Sequence, residues 1–335
     1  MKKLRVIQVG TGPMVHAAHL ARAMQAMPDL YELMAIVEED EALRKRAMEL
    51  DDYKPIPFMT WAEAIALKPD AVMVETDEHS LVPSAIRALE AGYPVYMDKP
   101  GSENCADFHR MCDLAKEKNL VLSLGYMYRE NPAVKHALKR MKEGRLGEIL
   151  SVEAQMSAAS GTEYRKTLSR FKGGMLYYLG CHLIDLIMTF CGFPDEVIPM
   201  NTRSGMDGVD CVDNGFCLYR YPHGVSFAKA TATEMNGVYR RSLIISGTKG
   251  TIEIRPLEEL VPGHKHENLN QFAAWETLDS TEAWEDRRVA LHFEPERRYD
   301  GLLINCARYV RGEAVNPYTP DYEARLHDII MESCQ

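Results

Sequence analysis

The chain has no C-x-x-C pair, no apolar run near the ~20 residues of a membrane-spanning helix, and no excess of basic residues. Each absence excludes something. Eight cysteines at irregular spacings, with Cys105 and Cys112 seven apart in a helical stretch, read as reduced core thiols rather than disulfides or metal ligands. His16 and His19, three apart on the first helix, have a spacing that two metal ligands use. They read instead as packing against the sheet or facing solvent, so no metal is predicted. Lys and Arg number 39 against 49 Asp and Glu, a net charge of −10 spread along the chain, which argues against a nucleic-acid partner. The "LRKR" run at 43–46 follows "EED" and reads as a solvated helix face. The start, "MKKLRVIQVGTG", lacks an apolar signal region and a small-residue cleavage site. A soluble cytoplasmic protein with no membrane contact is expected.

What is present is globular. The 335 residues are 46% apolar and 26% charged, with no repeat and no low-complexity stretch, and that length suits two domains. Through residue 125, short apolar runs alternate with helical patterns. "LRVIQVG" (4–10), "LMAIVEED" (33–40), "DAVMVET" (70–76), "YPVYMDKP" (93–100) and "NLVLSLGY" (119–126) read as strands. "HAAHLARAMQAM" (16–27) and "PSAIRALEAG" (83–92) read as helices. The alternation predicts a doubly wound parallel sheet, an α/β domain whose ligands bind at the carboxyl ends of its strands. A linking helix is expected over about 131–144, and residues 126–335 are assigned to a second, α+β domain. There "GFCLYRY" (215–221), "GVSFAKATAT" (224–233) and "RSLIISG" (241–247) alternate between the turn signals "YPHG" and "GTKG". They predict a large, open, mostly antiparallel sheet. One helix is expected over about 178–191, and residues 258–290 read as a long excursion. The ending "MESCQ" falls inside a helical pattern.

The "VGTG" turn closes the first strand ahead of a helix. Gly10 suits the tight turn and Gly12 the close approach of backbone to a pyrophosphate, with Thr11, Pro13 and Met14 alongside. Val15 stands where the fingerprint usually has a third small residue. Glu38 ends the second strand, placed to accept hydrogen bonds from adenosine ribose hydroxyls. With Glu39 and Asp40 beside it, a 2′-phosphate would be repelled, so NAD is favoured over NADP.

At "YMDKPGSEN" (96–104) and "GGMLYYLGCHLID" (173–185), the chain resembles the Gfo/Idh/MocA family of NAD(P)-dependent oxidoreductases. The likeness runs through nearly the whole chain and includes "ISGTKGTIEI" (245–254). It implies a Rossmann domain followed by an α+β domain whose sheet forms homodimers or homotetramers, and redox chemistry on sugars and polyols. It implies that Lys99 binds the reacting hydroxyl, that His182 lies close to substrate, and that Thr76, His79, Asp98, Lys99 and Pro100 line the cofactor. Tyr178 stands where the family usually has an aspartate, four residues before the histidine, and some relatives use a tyrosine with the lysine. In "TDEH" (76–79), acids replace the usual proline and asparagine.

Oxidising an alcohol removes a hydride from carbon and a proton from oxygen. A free imidazole titrates near ~6.5, so His182 is a competent base at neutral pH. Tyr178, four residues away on the same helical face, begins near ~10 and needs a cation such as Lys99 to help it. Gly173 and Gly174 are expected to let backbone approach the ligand. Asp185 either orients His182 or caps a local network. Tyr126, Arg129, Tyr164, Arg165, Arg170 and Lys172 suit sugar faces, hydroxyls or a carboxylate, and are expected to bind substrate. The leading expectation is a dehydrogenase. The family also allows glycoside cleavage by transient oxidation with recycled cofactor, or a dinucleotide sensor without catalysis.

Overall fold

A computed structural model describes residues 3–12, 16–279 and 284–335. The chain divides into two compact units, Met1–Tyr126 with Tyr299–His327, and Met127–Arg298 with Asp328–Gln335.

The first unit begins β1 (Leu4–Val9), α1 (His16–Gln25), β2 (Tyr31–Val37), α2 (Glu41–Met48), β3 (Phe58–Met59) and α3 (Trp61–Ala66). It continues with β4 (Ala71–Val74), α4 (Leu81–Glu90), β5 (Val95–Met97), α5 (Cys105–Glu117) and β6 (Leu122–Leu124). All six strands are parallel, in the order β3-β2-β1-β4-β5-β6. The direction of winding reverses between β1 and β4, the crevice where such sheets bind ligands. Every residue of β4 is buried, as expected of a strand covered on both faces. In α4, Leu81, Val82, Ala85, Ile86 and Leu89 recur at helical spacing and form its buried face. Local chemistry sets the helix starts. Thr60 and Glu63 form a reciprocal capping box on α3, and Asn104 accepts from the Ala106 N–H on α5.

The second unit opens with a single 3₁₀ turn (Met127–Glu130), then α6 (Pro132–Lys142), capped by Asn131, and β7 (Ile149–Ser157). Then come α7 (Thr162–Leu168), a π-helical turn (Leu176–Gly180) running into α8 (Cys181–Cys191), β8 (Glu196–Pro199), β9 (Asn214–Tyr221) and β10 (Gly224–Thr231). The strands β11 (Ser242–Gly247), β12 (Gly250–Ile254), β13 (Glu259–Leu260), β14 (Leu269–Gln271), β15 (Ala274–Leu278), β16 (Val289–Leu291) and β17 (Glu296–Arg297) follow. Eight strands form one sheet, β16-β15-β12-β11-β7-β10-β9-β8, antiparallel except where β7 meets β10. In β7, Val152, Ala154 and Met156 alternate inward, and α8 packs on this strand and on β10. Nine residues of α8 are buried, including His182 and Asp185, so this helix is enclosed on all sides.

Three features depart from the sequence-based expectations. The helix expected over 178–191 is a π turn followed by α8. β7, at the centre of the large sheet, was not anticipated. The described part of 258–290, expected as a long excursion, adds β15 and the start of β16 to the large sheet and supplies β13 and β14 of a small one, β13-β14-β17.

The assignment of all of 126–335 to one domain also needs correcting. Residues 299–327, which carry α9 (Asp300–Val310) and the start of α10 (Pro320–Ser333), count with the first unit. α9 buries Leu302, Leu303, Cys306 and Ala307, and the two leucines contribute about 1.5–3 kcal/mol each. The Tyr31 hydroxyl donates to the Leu303 carbonyl at 2.6 Å, and Asn316 donates to the Leu122 carbonyl at 3.0 Å. The His327 ring stacks on Phe108 with centroids 3.9 Å apart. All eight cysteines are free thiols. Among the described residues no helix is long and apolar enough to cross a membrane.

Candidate active site

In the first unit, backbone hydrogen bonds carry the parallel pairing one residue past the strands. The Gly10 N–H donates to the Val37 carbonyl (2.7 Å), Glu75 to Val9 (2.8 Å), Asp98 to Val74 (3.0 Å) and Gly125 to Met97 (2.9 Å). This aligns Glu38, Gly10, Glu75, Asp98 and Gly125 along the carboxyl edge. Gly10 has φ +91°, and a Cβ there would sit 2.6 Å from the Thr76 backbone, so only glycine fits. A cavity of about 440 Å³ opens at this edge, lined by Gly10, Glu38, Thr76, Ser84 and Arg87 among others. Glu38 Oε2 accepts from both the Thr11 N–H (2.8 Å) and hydroxyl (2.7 Å), and Oε1 from the Asp40 N–H (3.0 Å). A carboxylate offers about four acceptor positions, so Oε1 keeps room for one more donor. Glu38, Glu39, Asp40 and Asp77 face this space against one guanidinium, Arg87, itself paired to Glu39 at 2.8 Å. His79 is exposed, hydrogen-bonded through its N–H to Asp77, and is not among the lining residues. Gly12 has φ +52°. Pro13 and Met14 lie outside the described residues. His16 meets the Tyr299 hydroxyl at 3.0 Å, a contact that uses it structurally.

Lys99 follows β5 and is buried, joined to Pro100 by a cis peptide bond. Beside it lie Asp98, Tyr96 and Glu75, the last two fully enclosed. Burial, reinforced by Asp98, raises the Glu75 pKa well above the usual carboxylate range, against the opposing pull of Lys99 and a hydrogen bond from Tyr96. Nothing in the sequence reading singled out Glu75. An acid ending an apolar strand looks like a solvated one.

In the second unit, Tyr178 sits in the π turn and His182 in the first turn of α8, both buried. Tyr164 meets Tyr178 edge-on at 6.0 Å, and Phe171 packs on Tyr178 at 5.7 Å. The Tyr128 ring meets His182 edge-on at 5.0 Å. The Tyr128 hydroxyl donates to Glu258, which also receives Arg241 and, at 2.9 Å, Arg298. Burial would raise the Glu258 pKa, but the two arginines and these hydrogen bonds hold it below the usual range. The same burial, with Glu258 beside it, drives the Tyr128 phenol upward. Tyr128 was also missed from sequence, since "YMYRE" gives no sign of which aromatic faces the histidine.

Several residues expected to bind substrate have other work. Arg129 makes a buried, bidentate pair with Asp185, at 2.7 to 3.0 Å. That pair also decides Asp185, which serves the local network, its pKa raised by burial despite Arg129. Arg165 is enclosed between the Ser160 carbonyl (2.5 Å) and Asp207. Tyr126 is buried at the end of the first unit's chain segment. Arg170 and Lys172 are exposed, with Arg170 5.9 Å from the Phe171 ring. Gly173 and Gly174 are required by the protein's own packing. Their φ values are +77° and +48°, and Cβ atoms there would strike Cys334 Sγ at 2.3 Å and the Val212 carbonyl at 2.1 Å.

A cavity at the strand edge where the winding reverses, with an acid just past β2, defines a doubly wound nucleotide-binding fold, and comparison with known proteins agrees. Residues 4–126 match the model of the oxidoreductase family with an NAD-binding Rossmann fold, and residues 134–253 match the GFO/IDH/MocA C-terminal domain. The chain belongs to the Gfo/Idh/MocA family. It is similar to levoglucosan dehydrogenase of Pseudarthrobacter phenanthrenivorans, 30% identical over 288 residues, covering 75% of this chain and 73% of that protein. A shorter match, 32% identical over 152 residues, is to the Escherichia coli oxidoreductase YhhX, and spans 43% of this chain and 42% of YhhX. Among solved structures, a levoglucosan dehydrogenase complexed with NADH and levoglucosan superposes with a TM-score of 0.75 at 22% identity, over 99% of this chain and 97% of that one.

Proposed function

We propose that this protein is an NAD-dependent dehydrogenase acting on a hydroxyl of a sugar, glycoside or polyol. The observation that carries the reading is the cavity at the carboxyl edge of β1, β2 and β4, with Lys99 at the end of the next strand. The residues present suit the cofactor. Gly10 leaves the edge open, Glu38 retains an acceptor position for a ribose hydroxyl, and four carboxylates facing one arginine disfavour a 2′-phosphate. NAD is therefore preferred over NADP. When bound, the nicotinamide supplies the hydride acceptor.

The chain's own groups do the rest. His182 takes the hydroxyl proton, and its edge-on contact with Tyr128 fixes the plane of the imidazole. Lys99 supplies a cation for the negative charge that develops on the oxygen. Tyr178, clamped by Tyr164 and Phe171, positions substrate or passes the proton onward. The test is near-ultraviolet absorbance of the protein with NAD, then NADP, against a panel of sugars, polyols and glycosides. A sustained rise with NAD and one sugar class is the expected result. Substrate consumed without a rise would replace net oxidation by internal cofactor recycling.

A further inference from the structure

Glu75 is an uncomfortable residue for its position. The strand before it, Ala71–Val74, is wholly apolar and buried, and a fifth apolar residue would pack there without charge or desolvation cost. Instead the chain encloses a carboxyl that is 4% exposed, next to a lysine that is 5% exposed. Such a group persists only where its surroundings hold it or its chemistry is used.

The surroundings are specific. The Asp98 N–H bonds to the Val74 carbonyl, which sets residue 98 beside residue 75 across neighbouring strands. Tyr96, 1% exposed, hydrogen-bonds Glu75. Asp98 and Tyr96 close together over Gly125, where a Cβ would come within 2.6 Å of Asp98 Oδ1 and 3.0 Å of the Tyr96 hydroxyl. From other elements, Tyr53 faces Glu75 while taking a 3.3 Å hydrogen bond from Gln8, and Tyr299 and Cys306 act on Tyr96. Among these groups Lys99 is the one cation.

We propose that Glu75 is a positioning residue for Lys99, holding the ammonium in its buried setting and sharing one exchangeable proton with the Glu75–Asp98–Lys99 group. With Glu75 neutral, the single charge of Asp98 balances Lys99. When the Glu75 proton leaves, a second negative charge sits beside the ammonium and delays its own loss of a proton to higher pH. The three groups therefore titrate as a unit. The direction of the Glu75 shift agrees, since burial and Asp98 both favour the protonated acid. The kinetic part of this inference rests on the role proposed for Lys99. The protonation part stands without it.

Glu75→Gln keeps the shape of the side chain and its hydrogen bond to Tyr96 but cannot ionise, and Lys99→Met removes the partner. The first measurement needs no substrate. Infrared absorption of the protonated carboxyl carbonyl is followed against pH in the wild type, E75Q and K99M. The expected result is a band present at pH 7 in the wild type, absent in E75Q, and persisting to higher pH in K99M. A band that E75Q leaves unchanged, or a titration that K99M does not move, overturns the proposal. The second measurement is the pH profile of kcat/KM. E75Q is expected to shift the alkaline limb down by about one pH unit, and to have no further effect in a K99M background. A loss of turnover with the limb in place, equal in both backgrounds, would mark a merely structural residue and overturn it. If the wild type turns over no sugar, the functional reading fails while the infrared titration still decides Glu75.

Discussion

Single side chains carry the sharpest expectations. His182→Ala should lower turnover by roughly 10²–10⁴, with NAD affinity by calorimetry retained, as expected for loss of a general base. Turnover close to wild type would remove His182 from the proton path. Arg129 is a different case. Replacing it with methionine leaves Asp185 buried without its cation, and denaturant unfolding should show a loss of about 3–5 kcal/mol. An unchanged midpoint would mean that Asp185 simply takes up a proton. At this scale the sequence was informative about identity and less so about partners. Lys99 and His182 stood out because short motifs frame them. The pairing of Arg129 was not legible because its partner lies 56 residues away, and Glu75 escaped notice because burial is not written in an acidic letter.

Elements were legible where their periodicity was strong. The parallel strands and α4 announced themselves as apolar runs and helical faces. β7 did not, because its stretch mixes weak strand formers, Glu153, Ala154, Gln155 and Met156, and follows helix-like text. The glycines before α8 teach the same lesson about context. Gly173 was read as a place where backbone approaches a ligand, and its neighbour Cys334, which leaves no space for a side chain there, gave no sign in the sequence. Gly173→Ala should therefore lower stability by about 1–3 kcal/mol through overpacking and a strained positive φ. Thermal melting of G173A beside an alanine change at the unhindered Gly161 separates this effect from a general glycine penalty.

For the molecule as a whole, the buried carboxyls divide by sign. Glu258 has a lowered pKa in the folded state, so its contribution is present above the unfolded value of ~4.5 and is lost as pH falls through the folded value. Glu75 and Asp185 have raised values. Their contribution is fully present below the unfolded pKa of each and is lost as pH rises through the folded one. Calorimetry from about pH 2.5 to pH 9 should show stability falling on both sides of an intermediate maximum. Glu258→Gln is expected to lower the melting temperature more at pH 7 than at about pH 2.5. An equal drop at both would show that Glu258 is not charged in the folded protein. The change of pattern near residue 126 coincides with the passage from the first compact unit to the second. The return of 299–327 was not legible, because a helix carries no mark of which sheet it will cover.

That return has a consequence for how the protein is made. The Tyr31 hydroxyl finds its acceptor at Leu303, 272 residues later in the chain. At a synthesis rate of roughly 5–20 residues per second, β2 leaves the ribosome on the order of 10–60 s before the helix that covers it. Throughout that interval the nascent sheet presents an apolar flank that its own chain has not yet supplied the means to close.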